Sequence, residues 1–181
     1  MSWLRKGVTA AAAVWIGSFT LNHYERWDYY RLALRRARQL SRPLLVIGDP
    51  EKGLGSKLWV AYGHGDVCID LRPTPDCTQC IEAEAVAFLK LQPANSHVIF
   101  MSCVAEYVPD VTALMREVYR VSGDWRNVWV VHTKWWAPAT YVYNFEGDRS
   151  TNVLLTAPPD SPETQYKILG TAGGQVHTVR P

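Results

Sequence analysis

The 181-residue chain has little net charge, few cysteines and no long uninterrupted apolar run, and each of these shortages argues against a class of protein. A net charge of +2 gives no general attraction for a polyanion, so the composition does not indicate nucleic acid binding. Hydrophobic residues make up 48% of the chain and charged residues 20%. These fractions are typical of a globular protein, and the length suffices for one domain with its own core.

The four cysteines do not form a recognisable metal-binding pattern. Cys77 and Cys80 have the CxxC spacing of metal and redox sites, but no second CxxC or histidine pair follows at zinc-finger distance. The residues around the pair are typical of strand and loop, whereas a thioredoxin-type pair begins a helix. Cys68 and Cys103 lie inside apolar runs and are expected to be small core residues. We therefore predict no metal site and reduced thiols in a cytosolic domain.

The N-terminal segment, residues 1–24, contains an apolar stretch from Gly7 to Leu21, and no charged residue occurs between Lys6 and Glu25. The stretch is shorter than the roughly 20 apolar residues that span a bilayer, and it includes alanine, serine and threonine. It fits a weak transmembrane helix, a signal-peptide core or a helix packed on a soluble domain, although no small-x-small cleavage site follows it. We expect it to anchor the chain to a membrane.

Residues 25–42 are predicted to form a separate, basic amphipathic helix. Its apolar residues recur at helical spacing, and Arg42-Pro43 ends the pattern. Six arginines lie in this segment, whereas only Arg5 and Lys6 precede the apolar stretch. The positive-inside rule then places the main domain in the cytoplasm. The arginines either contact anionic lipid headgroups or form a solvated helix face.

Between residues 43 and 156, short apolar runs alternate with helical patterns. The runs predict strands at Leu44–Ile47, Asp66–Leu71, Thr78–Ala83, His97–Met101 and Asn127–His132. Asp110 is expected to cap the following helix, and Gly123 to end it. Runs that are apolar on both faces are typical of parallel strands, so the pattern predicts an α/β, Rossmann-like sheet with flanking helices. Residues 157–181, rich in proline and glycine, are expected to be an irregular tail that leaves the sheet truncated.

Polar residues and glycines follow three of the predicted strands. A loop with several glycines, Gly48–Gly55, follows the first strand, Asp70 ends the second, and Ser102 and Glu106 follow the fourth. In an open parallel sheet, ligands bind at the carboxyl ends of the strands, where glycine permits close approach and an acid binds ribose hydroxyls. Each feature also has a plainer explanation: a turn, a strand-end cap or loop packing.

This order resembles that of class I S-adenosylmethionine-dependent methyltransferases, in particular the small methyltransferase-domain proteins of the type 11 kind. The most specific stretch is Ser102–Val121, SCVAEYVPDVTALMREVYRV, which is similar to the family's LEHV-x-D…A-L-x-E-x-x-R-V signature. Leu44–Gly55 occupies the place of the family's first motif, and Val67–Leu71 that of its acidic second motif. The resemblance runs from residue 44 to residue 136.

The resemblance implies that S-adenosylmethionine is the cofactor. The residues implied to bind it are those at the strand ends, namely Gly48, Asp49, Gly53, Asp70, Glu82 and Ser102. Asp70 would bind the ribose hydroxyls, and Glu82 or Glu84 would lie near the adenine. The 48–55 loop would contact the methionine part, and Ser102 would border the methyl-transfer pocket.

Methyl transfer from a sulfonium requires alignment and exclusion of water more than a strong base or a metal. Glu106 and His132 are the candidate catalytic residues, with His132 in a position to accept a proton. The expected function is that of a membrane-associated methyltransferase whose methyl acceptor is unspecified. Because Gly48-Asp49-Pro50 replaces the usual glycine-rich first motif, a catalytically inactive methyltransferase-fold subunit with a protein partner is the alternative.

Overall fold

A computed structural model of the chain describes residues 2–52, 62–105, 108, 110–131, 151–155, 165–170 and 173–178. The helices in these residues are α1 (Ser2–Leu40), α2 (Ala85–Leu91) and α3 (Val111–Ser122), with a single 3-10 turn at Trp125–Asn127. The strands are β1 (Leu44–Ile47), β2 (Val67–Asp70), β3 (Cys80–Glu82), β4 (Val98–Ser102), β5 (Val128–Val131), β6 (Thr151–Leu155), β7 (Gln165–Gly170) and β8 (Gly173–Thr178).

The first five strands form one parallel sheet in the order β3-β2-β1-β4-β5, which confirms the predicted parallel α/β architecture. Every residue of β1 and β4 is buried. Strands buried on both faces need apolar side chains at successive positions, and this explains the continuous run Leu44–Ile47. The central strands therefore form the core around which the helices pack.

Helices cover both faces of this sheet. On one face, α1 lies mainly over β4 and β5 and contributes Ala33 and Ala37, whose small side chains are fully buried. On the other face, α2 and α3 pack through residues such as Leu89 and Leu114. The predicted ends of α3 are confirmed, because Asp110 accepts the Ala113 amide and Gly123 takes the left-handed conformation.

Helix α1 is one continuous helix of 39 residues, not the two separate helices predicted at residues 1–24 and 25–42. None of the helices among the described residues is both long and apolar enough to cross a membrane. The stretch from Gly7 to Leu21 contains glycine, threonine, serine and four alanines, which make it less apolar than a membrane span requires.

Several arginines of the basic segment bind the α/β body. Arg26 donates to the Cys103 sulfur and Arg36 to the Asn127 side-chain oxygen. Arg38 pairs with Asp66 at 3.4 Å, and Arg42 donates to Asn95. These contacts fix the C-terminal half of α1 against the sheet, a use of the arginines that the sequence did not reveal.

Two strands, β7 and β8, lie in residues 157–181, where an irregular tail was predicted, whereas β6 lies before that segment. β6, β7 and β8 form a three-stranded antiparallel sheet in that order. The prolines of the segment, which have no amide hydrogen for a strand ladder, lie at positions 158, 159, 162 and 181, outside both β7 and β8. The stretch from Gln165 to Thr178 is therefore free to pair as strands.

Cys68 and Cys80 form a disulfide, contrary to the prediction of reduced thiols throughout. Their strands are neighbours, and the parallel register sets these two residues opposite each other with Cα atoms 4.5 Å apart. Such a separation lies within the range that a disulfide spans. The pairing depends on strand register, which the spacing of cysteines along the chain does not reveal.

Candidate functional site

The carboxyl edge of the parallel sheet brings together five of the predicted site residues, among them Asp49 in the loop after β1. Gly48 follows β1, Asp70 ends β2, Glu82 ends β3 and Ser102 ends β4. The order β2-β1-β4 places a topological switch point between β1 and β4, because the chain continues from β1 towards β2 and returns later to β4. Ligands of doubly wound sheets bind in the crevice beside such a point.

Gly48 lies where the end of β1 approaches the end of β4. Its φ of +108° is unfavourable for any residue with a side chain, and a Cβ atom there would lie 2.6 Å from the Ser102 carbonyl oxygen. Glycine is therefore required for the packing of the two strand ends. Packing therefore gives a reason for glycine at position 48 in addition to the cofactor role that the resemblance implies.

Asp70 faces the loop that follows β1. Its Oδ2 accepts the Asp49 backbone N–H at 2.9 Å, and its Oδ1 accepts the Arg72 N–H at 2.7 Å. The Lys52 ammonium lies 2.8 Å from the same Oδ1. The carboxylate is nearly buried, while the Lys52 side chain is 47% exposed. The loop and the carboxylate thus meet at one place, as predicted, and an ion pair joins them.

The Asp49 side chain is buried and holds the loop in place. Its Oδ1 accepts the Glu51 amide at 2.8 Å and its Oδ2 accepts the Thr74 amide at 2.6 Å. Burial alone would raise the pKa of this carboxyl, but the hydrogen bonds from Thr74 and Glu51 and the nearby His64 outweigh it and lower the pKa below its usual value. The ionised Asp49 side chain therefore joins the loop after β1 to the segment after β2 by hydrogen bonds.

Tyr62 is a residue of the site that the sequence analysis missed. Its hydroxyl donates to the Asp49 carbonyl oxygen at 3.1 Å and lies beside the buried Ser102 hydroxyl, and burial raises its pKa. The ring packs against Phe100, with centroids 5.2 Å apart. Tyr62 lies outside every strand and helix predicted from the sequence, so no periodic signal marked it.

The two glutamates expected near the adenine have different roles. Glu84 caps α2, because its carboxylate accepts the amides of Val86 and Ala87. Glu82 is exposed and lies opposite Asp70 in the register of β2 and β3. Of the two, Glu82 is the carboxylate that remains open to a ligand at this edge.

Three predicted site residues fall outside the described residues: Gly53, Glu106 and His132. Three residues before Glu106, Cys103 follows β4 with a φ of +53°. A side chain held in the left-handed region costs free energy, and its surroundings must compensate. Arg26 of α1, whose guanidinium lies 2.8 Å from the Cys103 sulfur, supplies one such contact.

A second group of polar side chains lies close to Asp49. The ligand atoms of Asp49, His64, Cys77 and Cys80 all fall within 4.8 Å of one another. His64 Nε2 lies 3.4 Å from the Cys77 sulfur and 3.4 Å from a Glu51 carboxylate oxygen. The sequence revealed only the CxxC pair, because Asp49 and His64 come from separate segments.

No protein-family model, curated protein or solved structure matches the chain. The functional assignment therefore depends on the topology of the sheet and on the chemistry at its carboxyl edge.

Proposed function

We propose that the chain is a methyltransferase-like protein that binds S-adenosylmethionine at the carboxyl edge of its parallel sheet. The observation that carries this proposal is the position of Asp70, which ends β2 and faces the loop after β1. An acid at this place in a doubly wound sheet binds ribose hydroxyls. The strand order β3-β2-β1-β4-β5 supports the same function, because it is the order of the first five strands in such sheets.

The residues present fit a ribose at this edge. The amides of Asp49 and Arg72 orient the Asp70 carboxylate and leave each oxygen with a further lone pair. The third partner, Lys52, has a long and half-exposed side chain, so a ribose hydroxyl can replace its ammonium at low cost. Exposed Glu82 lies one strand further along, on the side where the adenine is proposed to bind.

When bound, S-adenosylmethionine supplies a methyl group activated on a sulfonium. In this proposal the described residues bind and orient it: Asp70 accepts from the ribose, and Gly48 lets β1 end close to β4. Tyr62 and Phe100 keep water from the inner wall of the edge, since both rings are buried. Glu106 and His132 remain the candidate catalytic residues, and the methyl acceptor is unspecified.

The Lys52–Asp70 ion pair favours one alternative, a catalytically inactive methyltransferase-fold subunit that binds a protein partner. The pair and the two amides occupy both Asp70 oxygens without any ligand. In a subunit of this kind the edge would stabilise the fold and would have no cofactor to bind. The two functions differ in one measurable property, which is affinity for the cofactor.

Thermal unfolding of the full chain with S-adenosylmethionine, or with its demethylated product, tests the proposal. A ligand at a hundred times its dissociation constant adds about 2.7 kcal/mol to the free energy of unfolding. Asp70→Asn keeps the shape of the side chain but removes its charge, and we expect it to abolish the stabilisation.

Asp66→Asn is the matched control. Asp66 also accepts a hydrogen bond from a backbone amide at a strand end, that of Leu44. This bond lies at the amino end of β1, away from the proposed cofactor site. We expect this variant to keep the full response to the cofactor. No stabilisation of the unmodified chain at millimolar cofactor would exclude cofactor binding and leave the inactive subunit.

We also propose that the N-terminal half of α1 associates with a membrane surface, with the α/β body on the cytoplasmic side. Residues 7–14 of the helix are all exposed, and the apolar side chains Val14, Ile16 and Leu21 are each more than half exposed. Apolar side chains on an exposed helix favour the interface between headgroups and acyl chains. In the inactive subunit, the same surface would bind the protein partner.

Co-sedimentation with phospholipid vesicles tests this association. Val14→Asp combined with Ile16→Asp should abolish sedimentation, because both side chains project into solvent and both would then carry a charge. Leu91→Asp, at a residue 81% exposed on α2, is the matched control and should leave sedimentation unchanged. An unmodified chain that stays in the supernatant would contradict membrane association.

A further inference from the structure

We propose that Asp49, His64, Cys77 and Cys80 form a structural zinc site when the Cys68–Cys80 disulfide is reduced. Their four ligand atoms, one carboxylate oxygen, one imidazole nitrogen and two sulfurs, lie within 4.8 Å of one another. Zinc takes four ligands of these types in a tetrahedron. Bond lengths of 2.0–2.3 Å place such ligands about 3.3–3.8 Å apart, and His64 Nε2 already lies 3.4 Å from the Cys77 sulfur.

The group is partly organised before any metal binds. Asp49 is buried, and the amides of Glu51 and Thr74 fix one lone pair on each carboxylate oxygen, which leaves others for a cation. Hydrogen bonds to a ligand side chain, like these two, orient metal ligands in proteins. A contact of His64 with Glu51, whose side chain is 47% exposed, competes with the metal for the imidazole nitrogen.

The ligand types select the metal. Two thiolates with one imidazole favour zinc over magnesium or calcium, which prefer oxygen ligands throughout. Four protein ligands leave no open position, so the site is structural rather than catalytic. Zinc would join the loop after β1 to the segments before β2 and before β3, three parts of the chain that meet only in the fold.

Cys80 cannot serve the disulfide and the metal at once, so the two states exclude each other. A dithiol reductant breaks the Cys68–Cys80 bond, delivers two electrons and two protons to the two sulfurs, and leaves as its own disulfide. Zinc then displaces the protons of Cys77 and Cys80, which pass to solvent. A low-molecular-weight disulfide reverses the exchange, removes two electrons from Cys68 and Cys80, and releases the metal.

Cobalt substitution tests the site on the full chain. The chain, reduced with a phosphine and titrated anaerobically with Co²⁺, should show tetrahedral d–d bands and thiolate-to-cobalt charge transfer, saturating at one ion per chain. Zn²⁺ should displace the cobalt and raise the unfolding temperature. The oxidised chain should show neither effect.

Single substitutions assign the ligands. Cys77→Ser should halve the charge-transfer intensity and weaken cobalt binding at least about tenfold. His64→Gln should weaken cobalt binding by at least about the same factor. Cys103→Ser and Cys68→Ser should leave both properties of the reduced chain unchanged, because neither residue is a ligand in this site. Cys103 is the matched control, since like Cys77 it lies outside the disulfide and is half-buried.

A measurement without substitutions guards against variants that fail to fold. Zinc should protect Cys77 and Cys80 of the reduced chain from alkylation, while Cys68 and Cys103 keep their reactivity. Octahedral cobalt spectra without charge transfer, equal binding by the oxidised chain, or protection of Cys103 instead of Cys77 would each overturn the proposal.

Discussion

The backbone N–H of Asp49 donates to the Asp70 carboxylate across 2.9 Å, although 21 residues separate the two along the chain. This bond joins the loop after β1 to the end of β2. It places the Lys52 ammonium, three residues after Asp49, against the other carboxylate oxygen. The proposed ribose site and the ion pair that competes for it therefore share one side chain.

Replacing Lys52 by alanine tests whether Lys52 competes with the cofactor for Asp70 or contacts the cofactor directly. If Lys52 only competes for Asp70, Lys52→Ala should tighten S-adenosylmethionine binding by up to about fivefold, because a half-exposed ion pair contributes at most about 1 kcal/mol. Isothermal titration calorimetry measures the change. Weaker binding by this variant would instead mean that Lys52 contacts the cofactor directly. Lys90→Ala, at an exposed residue of α2, controls for a general loss of positive charge.

Gly48 provides a test of the junction between β1 and β4. Gly48→Ala should lower the free energy of unfolding by about 2–4 kcal/mol, because the added Cβ would meet the Ser102 carbonyl oxygen at 2.6 Å and φ is +108°. Urea denaturation measures the loss. Gly17→Ala is the control: no atom would lie within 4 Å of its Cβ, and alanine should be neutral or stabilise α1 by up to about 1 kcal/mol. Equal stabilities for the two variants would contradict this account.

The parallel sheet was predictable because its strands are short, apolar on both faces and separated by helical patterns. Leu44–Ile47 and His97–Met101 gave clear signals, and β1 and β4 are the central, fully buried strands. The meeting of Asp70 with the 48–52 loop was predictable for a related reason, since the carboxyl ends of parallel strands share one edge.

What the sequence did not reveal depends on tertiary pairing. The disulfide follows from the register of β2 against β3, and the Asp49–His64–Cys77–Cys80 group from three segments that meet only after folding. Tyr62 packs into the site from a segment with no periodic pattern. The continuous α1 was missed because its two halves differ in composition, although no helix-breaking residue separates them.

His23 predicts a pH dependence of stability. The imidazole is buried in α1, and burial together with the positive charge of Arg26 lowers its pKa to about 4. In the unfolded chain the His23 imidazole therefore binds a proton below about pH 6.5, whereas in the folded chain it binds one only below about pH 4. Stability should be full above pH 6.5 and should fall by about 1–3 kcal/mol as the pH drops through this window.

Urea denaturation of the unmodified chain and of His23→Gln between pH 7.5 and 4.5 checks this dependence. The substituted chain should lose less stability over the range, because glutamine does not titrate. His97, whose pKa burial also lowers, contributes in the same direction, so some slope should remain and His97→Gln should reduce it further. Parallel profiles for the unmodified chain and His23→Gln would contradict the assignment.

The Arg36–Asn127 contact tests whether α1 is part of the α/β body or a separable anchor. The buried Asn127 side chain accepts from Arg36 Nε at 2.9 Å and donates to the Ser122 carbonyl at 3.0 Å. Asn127→Ala should lower the free energy of unfolding by about 1–3 kcal/mol, because it removes the acceptor of the Arg36 N–H and one of the two donors to the Ser122 carbonyl, the other being Arg42. Arg126→Ala, which removes an exposed pair with Asp124, should change it by less than about 1 kcal/mol.

A double-mutant cycle of Arg36→Ala and Asn127→Ala then isolates the contact itself. If α1 unfolds together with the sheet, the two substitutions should be non-additive by about 0.5–3 kcal/mol in global unfolding, since each removes the same hydrogen bond. If α1 detaches first, as a separable membrane anchor would, the bond is already broken before the sheet unfolds. The coupling would then vanish from the unfolding of the sheet as measured by hydrogen exchange of the buried β4 amides, and this outcome would contradict an integral α1.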